Sequence, residues 1–285
     1  MQNKEKNLNI GMVNFINTAP IYETWKSRPH PATYHVVEGA PSTLNRMLAE
    51  DKLDLGFVSS CEYGHRPEKY FILSDLSISA NGSVGSVFLF SKREPKQLTG
   101  KTVLLSGQSE TSIALVKIIL EEFYHVQPDY IVGDVRSQSA EQAEGVLAIG
   151  DEALRLADAA TFKHKLDLGE VWRRFTDLPF VFAVCAVRRD FCKKYPEQVN
   201  AVHREFILCV QEGQEELPSI CVRVAPRIPM HPDECYVYLR AIEYDLDEKK
   251  IMALEKFFTF LINRGELPEN AVPLCIQNVR TGMRE

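Results

Sequence analysis

The residues with chemistry to offer are hydroxyl and amide side chains at turns that follow short apolar runs. In residues 101–124 (KTVLLSGQSETSIALVKIILEEFY) a run ending at Leu105 breaks at Ser106-Gly107 and passes through Ser109, Thr111 and Ser112. Ile113, Val116, Ile119, Leu120 and Phe123 then recur at helical spacing. A strand that turns into a helix in this way leaves unpaired N–H groups at the helix start, where the helix dipole is positive. With hydroxyls beside them, such amides suit a carboxylate or phosphate. The plainer alternative is that Ser109 only caps its helix. Similar turns recur, however, at Asn17-Thr18 after NIGMV and at Ser59-Ser60 after LDLGFV. A further strand, GVLAI, ends on Gly150-Asp151.

Other chemistries lack their residues. There is no HExxH, no P-loop, no GxGxxG after a strand and no GxSxG, so neither a metal nor a nucleotide cofactor is expected. The seven cysteines form no CxxC pair and read as buried thiols of a cytoplasmic protein. The polar start MQNKEKNLNIGMV carries no secretory pattern, and no run has the length of a membrane span. A formal net charge of −6 gives no general attraction to nucleic acid or an anionic membrane, so an anionic ligand would have to be met by local donors. Asp151 and Glu62 are possible bases, with capping or hinge carboxylates as the plainer reading.

The elements that must position these turns alternate. Strands over 9–13, 34–38 and 53–58 with helices between them predict a parallel α/β sheet whose ligand lies at the strands' carboxyl ends. Asn81-Gly82 predicts a hairpin joining 73–80 to a strand over 83–91, in which Val84, Ser86, Phe88 and Phe90 share one face. The break at Arg93-Glu94-Pro95-Lys96 predicts a crossing to a second lobe, and the apolar strand FVFAVCAV after Leu178-Pro179 a return. The spacing predicts helices over 152–158, 196–217 and 248–263; residues 236–239 could be helix or strand. The expected organisation is one lobe from 1–92 with 187–285 and a second from 93–186. This is an α/β fold of the type II periplasmic-binding-protein kind, with a ligand cleft between the lobes.

Several blocks carry a family resemblance. VNFINTAP, LDLGFVSSCEY, NGSVGSVFLFS, SGQSETSIALVKIIL, AIGDEALR and DLGEVWRRFTDLPFVFAVCAVRRDF resemble the chorismate dehydratases of the futalosine route to menaquinone. That resemblance implies a two-lobed fold and a cofactor-free conversion of chorismate to 3-[(1-carboxyvinyl)oxy]benzoate and water. It implies Asn17 and Ser86 as the catalytic positions, with the substrate's own side-chain carboxylate as the base. Ser59, Ser60, Thr111 and Ser112 would hold the carboxylates, Thr18 and Ser109 would also bind substrate, and Gly150, Asp151, Pro179 and Phe180 would shape the wall. Two alternatives stay open. The 1,4-dihydroxy-6-naphthoate synthases resemble the chain in fold, but they carry a histidine base where this sequence reads Ile149-Gly150-Asp151-Glu152. A solute-binding or sensing protein would bind without turnover.

Overall fold

The computed structural model describes residues 6–157, 162–228 and 230–278. Strand β1 (Leu8–Val13) leads through a 3-10 turn (Ile16–Thr18) into α1 (Ala19–Ser27), and β2 (Tyr34–Gly39), α2 (Pro41–Ala49), β3 (Leu55–Ser59), α3 (Ser60–His65) and the long β4 (Tyr70–Ala80) follow. Next come β5 (Val87–Ser91), β6 (Thr102–Ser106), α4 (Glu110–Ile118) with a π-helical turn (Ile119–Phe123), and β7 (Asp129–Gly133). The chain continues through α5 (Gln138–Gln142), β8 (Gly145–Ile149), α6 (Gly150–Ala157), β9 (His164–Asp167) and α7 (Leu168–Thr176). Last are β10 (Phe180–Arg188), α8 (Arg189–Lys194), α9 (Pro196–Glu215), α10 (Leu217–Val224), α11 (Pro232–Arg240), α12 (Glu248–Asn263) and the short β11 (Ile276–Gln277).

Two sheets form, in the orders β11-β4-β10-β3-β1-β2 and β7-β6-β8-β5-β9. β1 pairs parallel with β2 and β3, and β6 with β7 and β8, as the alternating strands and helices require. β10 runs antiparallel between β3 and β4, and β5 antiparallel between β8 and β9. A continuous apolar core runs through both sheets, and a smaller one covers the far side of the second.

Four expectations change. Asn81-Gly82 makes no hairpin, because β4 and β5 belong to different sheets and this segment is itself the first crossing. That crossing therefore precedes β5 rather than following it at 92, and the return falls between α7 and β10, so Phe180 to Ala186 lie with the first sheet. Val84, Ser86, Phe88 and Phe90 do not form one strand face: the strand begins only at Val87, after Gly85 at φ +71°, and Ser86 lines the cleft while Phe88 and Phe90 sit in the outer core. Phe88 and Phe90 pack into the outer core against Leu104 and Val146. Residues 236–239 are helical, within α11. The predicted helix end at Asp158 lies outside the described residues.

Candidate functional site

A cleft opens between the sheets where β1, β3 and β8 end. Asn17, Thr18, Ser59, Ser86, Ser109, Ser112 and Gly150 line it together with Val13, Phe15, Ile78, Ile149 and Phe182. No lysine or arginine is among the lining residues, so hydroxyls, an amide and main-chain N–H groups supply its polarity.

Each of these side chains is held locally. Thr18 Oγ1 donates to the carbonyls of Val13 (2.5 Å) and Phe15 (2.8 Å), which ties the turn after β1 to the strand it leaves. Tyr244 Oη fixes the same turn by donating to the Asn17 carbonyl at 2.9 Å. The Asn17 side-chain oxygen is buried yet has no partner among the described residues, an arrangement that costs free energy unless a ligand or water meets it. Ser59 is gripped by Asn45: its N–H donates to Asn45 Oδ1 (3.1 Å), and its Oγ accepts from Asn45 Nδ2 (2.8 Å). Ser109 caps α4, accepting from Ser112 N at 3.3 Å. Capping and lining the cleft are thus one placement. Gly150 opens α6 at φ +56°, which favours glycine, and a Cβ there would stand 2.9 Å from Phe15 Cδ2. Its N–H donates to the Ser86 carbonyl at 2.7 Å, extending the β5–β8 ladder by one rung.

Five expected site residues lie behind this wall. Ser60 is fully buried, and its hydroxyl donates to the Val181 carbonyl at 2.7 Å. Thr111 Oγ1 accepts from Cys61 N at 2.9 Å, joining α4 to α3, so it faces the other lobe's backbone rather than the cleft. Asp151 Oδ1 accepts from Ile16 N at 3.3 Å. Burial raises the pKa of this carboxyl, and the Ile16 N–H and the charges of Arg155 and Arg227 oppose the rise. The Pro179 carbonyl accepts from Trp172 Nε1 at 3.0 Å, and Phe180 is packed edge-on against Trp172 and Phe257. A break in the β10–β4 register between Val181 and Ala183 interrupts the alternation there, and Phe182, not Phe180, lines the cleft. Glu62 also stands apart, held by Arg66 Nη1 at 2.9 Å and Tyr70 Oη at 2.8 Å.

Sequence reading missed Asn45, Phe182, Tyr238 and Tyr244. For Tyr238 a signal existed. His231 caps α11, Glu234 accepts from His231 N at 3.0 Å, and the buried positions Cys235, Tyr238 and Leu239 follow at helical spacing. Among the described residues, no three His, Cys, Asp or Glu side chains gather where they could hold a metal, and no helix is long and apolar enough to cross a membrane.

Comparison with known proteins decides the kinship. A family model described as menaquinone biosynthesis matches residues 8–262. The chain belongs to this menaquinone-biosynthesis family. It is 30% identical over 263 residues to a chorismate dehydratase of Thermus thermophilus, an alignment covering 87% of this chain and 93% of that one. It is 29% identical over 197 residues to a chorismate dehydratase of Campylobacter jejuni, covering 66% and 73%. Among solved structures, a protein from Archaeoglobus fulgidus superposes with TM-score 0.73 at 21% identity, covering 90% of this chain and 97% of that one. The alkanesulfonate-binding protein SsuA of Xanthomonas axonopodis, bound to MOPS, superposes with TM-score 0.67 at 12% identity, covering 95% and 98%. At such identities the likeness is one of fold: the two-lobed architecture of periplasmic binding proteins.

Proposed function

We propose that this protein is a chorismate dehydratase, a hydro-lyase that converts chorismate to 3-[(1-carboxyvinyl)oxy]benzoate and water. One observation carries the reading beyond kinship: Asn17 and Ser86, the positions the resemblance implies, line a single cleft that offers neutral donors. The substrate loses the proton on the carbon bearing the enolpyruvyl ether and the hydroxyl on the neighbouring carbon, and the ring becomes aromatic. Aromaticity drives the reaction, so the site has to bind two carboxylates, exclude water and meet charge as it develops. In this reading the hydroxyls of Ser59, Ser109 and Ser112 meet the carboxylates, and the apolar wall of Phe15, Ile149 and Phe182 meets the ring. Asn17 and Ser86 then supply hydrogen bonds to the transition state, while the substrate's side-chain carboxylate takes the proton.

Incubation of the purified protein with chorismate, with the product identified by proton NMR and mass spectrometry, tests this. The enolpyruvyl-oxy benzoate is expected. Tight binding without turnover would indicate a binding or sensing protein instead, and neither binding nor turnover would reject chorismate as substrate.

A further inference from the structure

Ser86 precedes β5, and the Gly150 N–H that holds its carbonyl leaves its side chain to be fixed by something else. What fixes it comes from far along the chain. Tyr238 on α11 is only 8% exposed, and its hydroxyl lies 2.9 Å from Ser86 Oγ. Gly85 makes the approach possible: a Cβ there would sit 3.2 Å from Tyr238 Cδ2, at a backbone φ of +71°. The backbone of Ser86 is pinned by the Gly150 rung and its side chain by the phenol.

A serine hydroxyl carries one proton and accepts through its lone pairs. With the phenol donating, the Ser86 proton finds no acceptor among the described residues, and its open direction is the cleft that Ser86 lines. Burial, foremost, raises the tyrosine well above its ordinary pKa, so the phenol keeps a proton to donate throughout the working range. We propose that Tyr238 is a positioning residue: by donating to Ser86 Oγ, it commits the Ser86 proton to the substrate. This rests on the dehydratase reading above, in which Ser86 acts on chorismate.

The test is a double-mutant cycle of Tyr238→Phe and Ser86→Ala on the full chain. Tyr238→Phe keeps the ring against Gly85 and removes only the donor. In the wild-type background it should lower kcat by about tenfold, the order of one well-aimed hydrogen bond, with KM little changed. In the Ser86→Ala background it should change kcat hardly at all, because the group it orients is gone. Equal losses in both backgrounds, or no loss in the first, would overturn the proposal. Protein labelled with ¹³C at tyrosine Cζ reads the pairing without activity, the Tyr238 resonance being assigned by its absence in Tyr238→Phe. Ser86→Ala should shift that resonance, and an unmoved signal would overturn the pairing. If wild-type protein does not turn over chorismate, the dehydratase reading fails and the catalytic role of Tyr238 with it, while the resonance still decides the contact.

Discussion

Ser59 and Thr111 carry similar hydroxyls at similar strand-to-helix turns, yet they face opposite ways. Ser59 looks into the cleft with Asn45 behind it; Thr111 turns its oxygen to the Cys61 N–H. Thr111→Val should therefore act on stability. It leaves a buried N–H unpaired and should cost about 1–3 kcal/mol in denaturant unfolding, with KM for chorismate nearly unchanged. Asn45→Ala should do the reverse to the kinetics, raising KM while kcat is largely kept, because Ser59 loses its orientation. Asp151 gives a pH signature. Its carboxyl titrates above its ordinary value because of burial, so ionisation favours the unfolded chain, and its stabilising influence fades as pH rises through the folded-state pKa. Asp151→Asn keeps an oxygen for Ile16 N and removes the charge. Its stability relative to wild type should improve as pH rises from about 4 through that raised pKa, then level off. Melting curves at stepped pH check this, and a constant difference across pH would contradict it.

At the scale of the element, the strands and helices that bring the site together were legible because their apolar periodicity is long and clean. β1, β3, β6 and β8, and the helices after β1, β6 and β8, fell where spacing put them, whereas the short α3 after β3 was not foreseen. What sequence could not give was the partner of each strand. Asn81-Gly82 has the residues of a tight hairpin, and only the sheet membership of β4 and β5 shows that the chain crosses there instead. Ser86 was assigned to the cleft by resemblance while its strand-face argument failed, since the strand begins only at Val87, after Gly85. β9, four residues long, is too short for its period to show. Gly150 is the element boundary most sensitive to change. Gly150→Ala puts a Cβ against Phe15 and forces a left-handed backbone, so it should lower unfolding free energy by about 1–2 kcal/mol. KM should rise as well, because Phe15 lines the cleft. Denaturant curves and KM together check it.

For the whole molecule, the two sheets share more than the crossing segments. Trp172 is fully buried where helices of the two lobes meet, packed against Phe123 after α4, donating to Pro179 and meeting Phe180, Phe257 and Phe260 edge-on. A shared core predicts a single cooperative unfolding transition. Trp172→Ala should cost about 3–5 kcal/mol and split that transition into two in calorimetry, because the lost ring is one that both lobes use. Such long-range packing was invisible in the sequence, where Trp172 is one aromatic residue in a helical stretch. The family relationship, by contrast, was legible in the blocks around Asn17, Ser59, Ser86 and Ser109. In the proposed function the interlobe cleft dehydrates chorismate through Asn17 and Ser86. The most direct measurement compares wild type, Asn17→Ala and Ser86→Ala for product formation, with chorismate binding followed by calorimetry. Wild type should give the enolpyruvyl-oxy benzoate, and each variant should lose kcat on the order of 10²-fold or more with binding retained. Near-normal turnover in both variants would contradict the site, and no product from wild type would contradict the function.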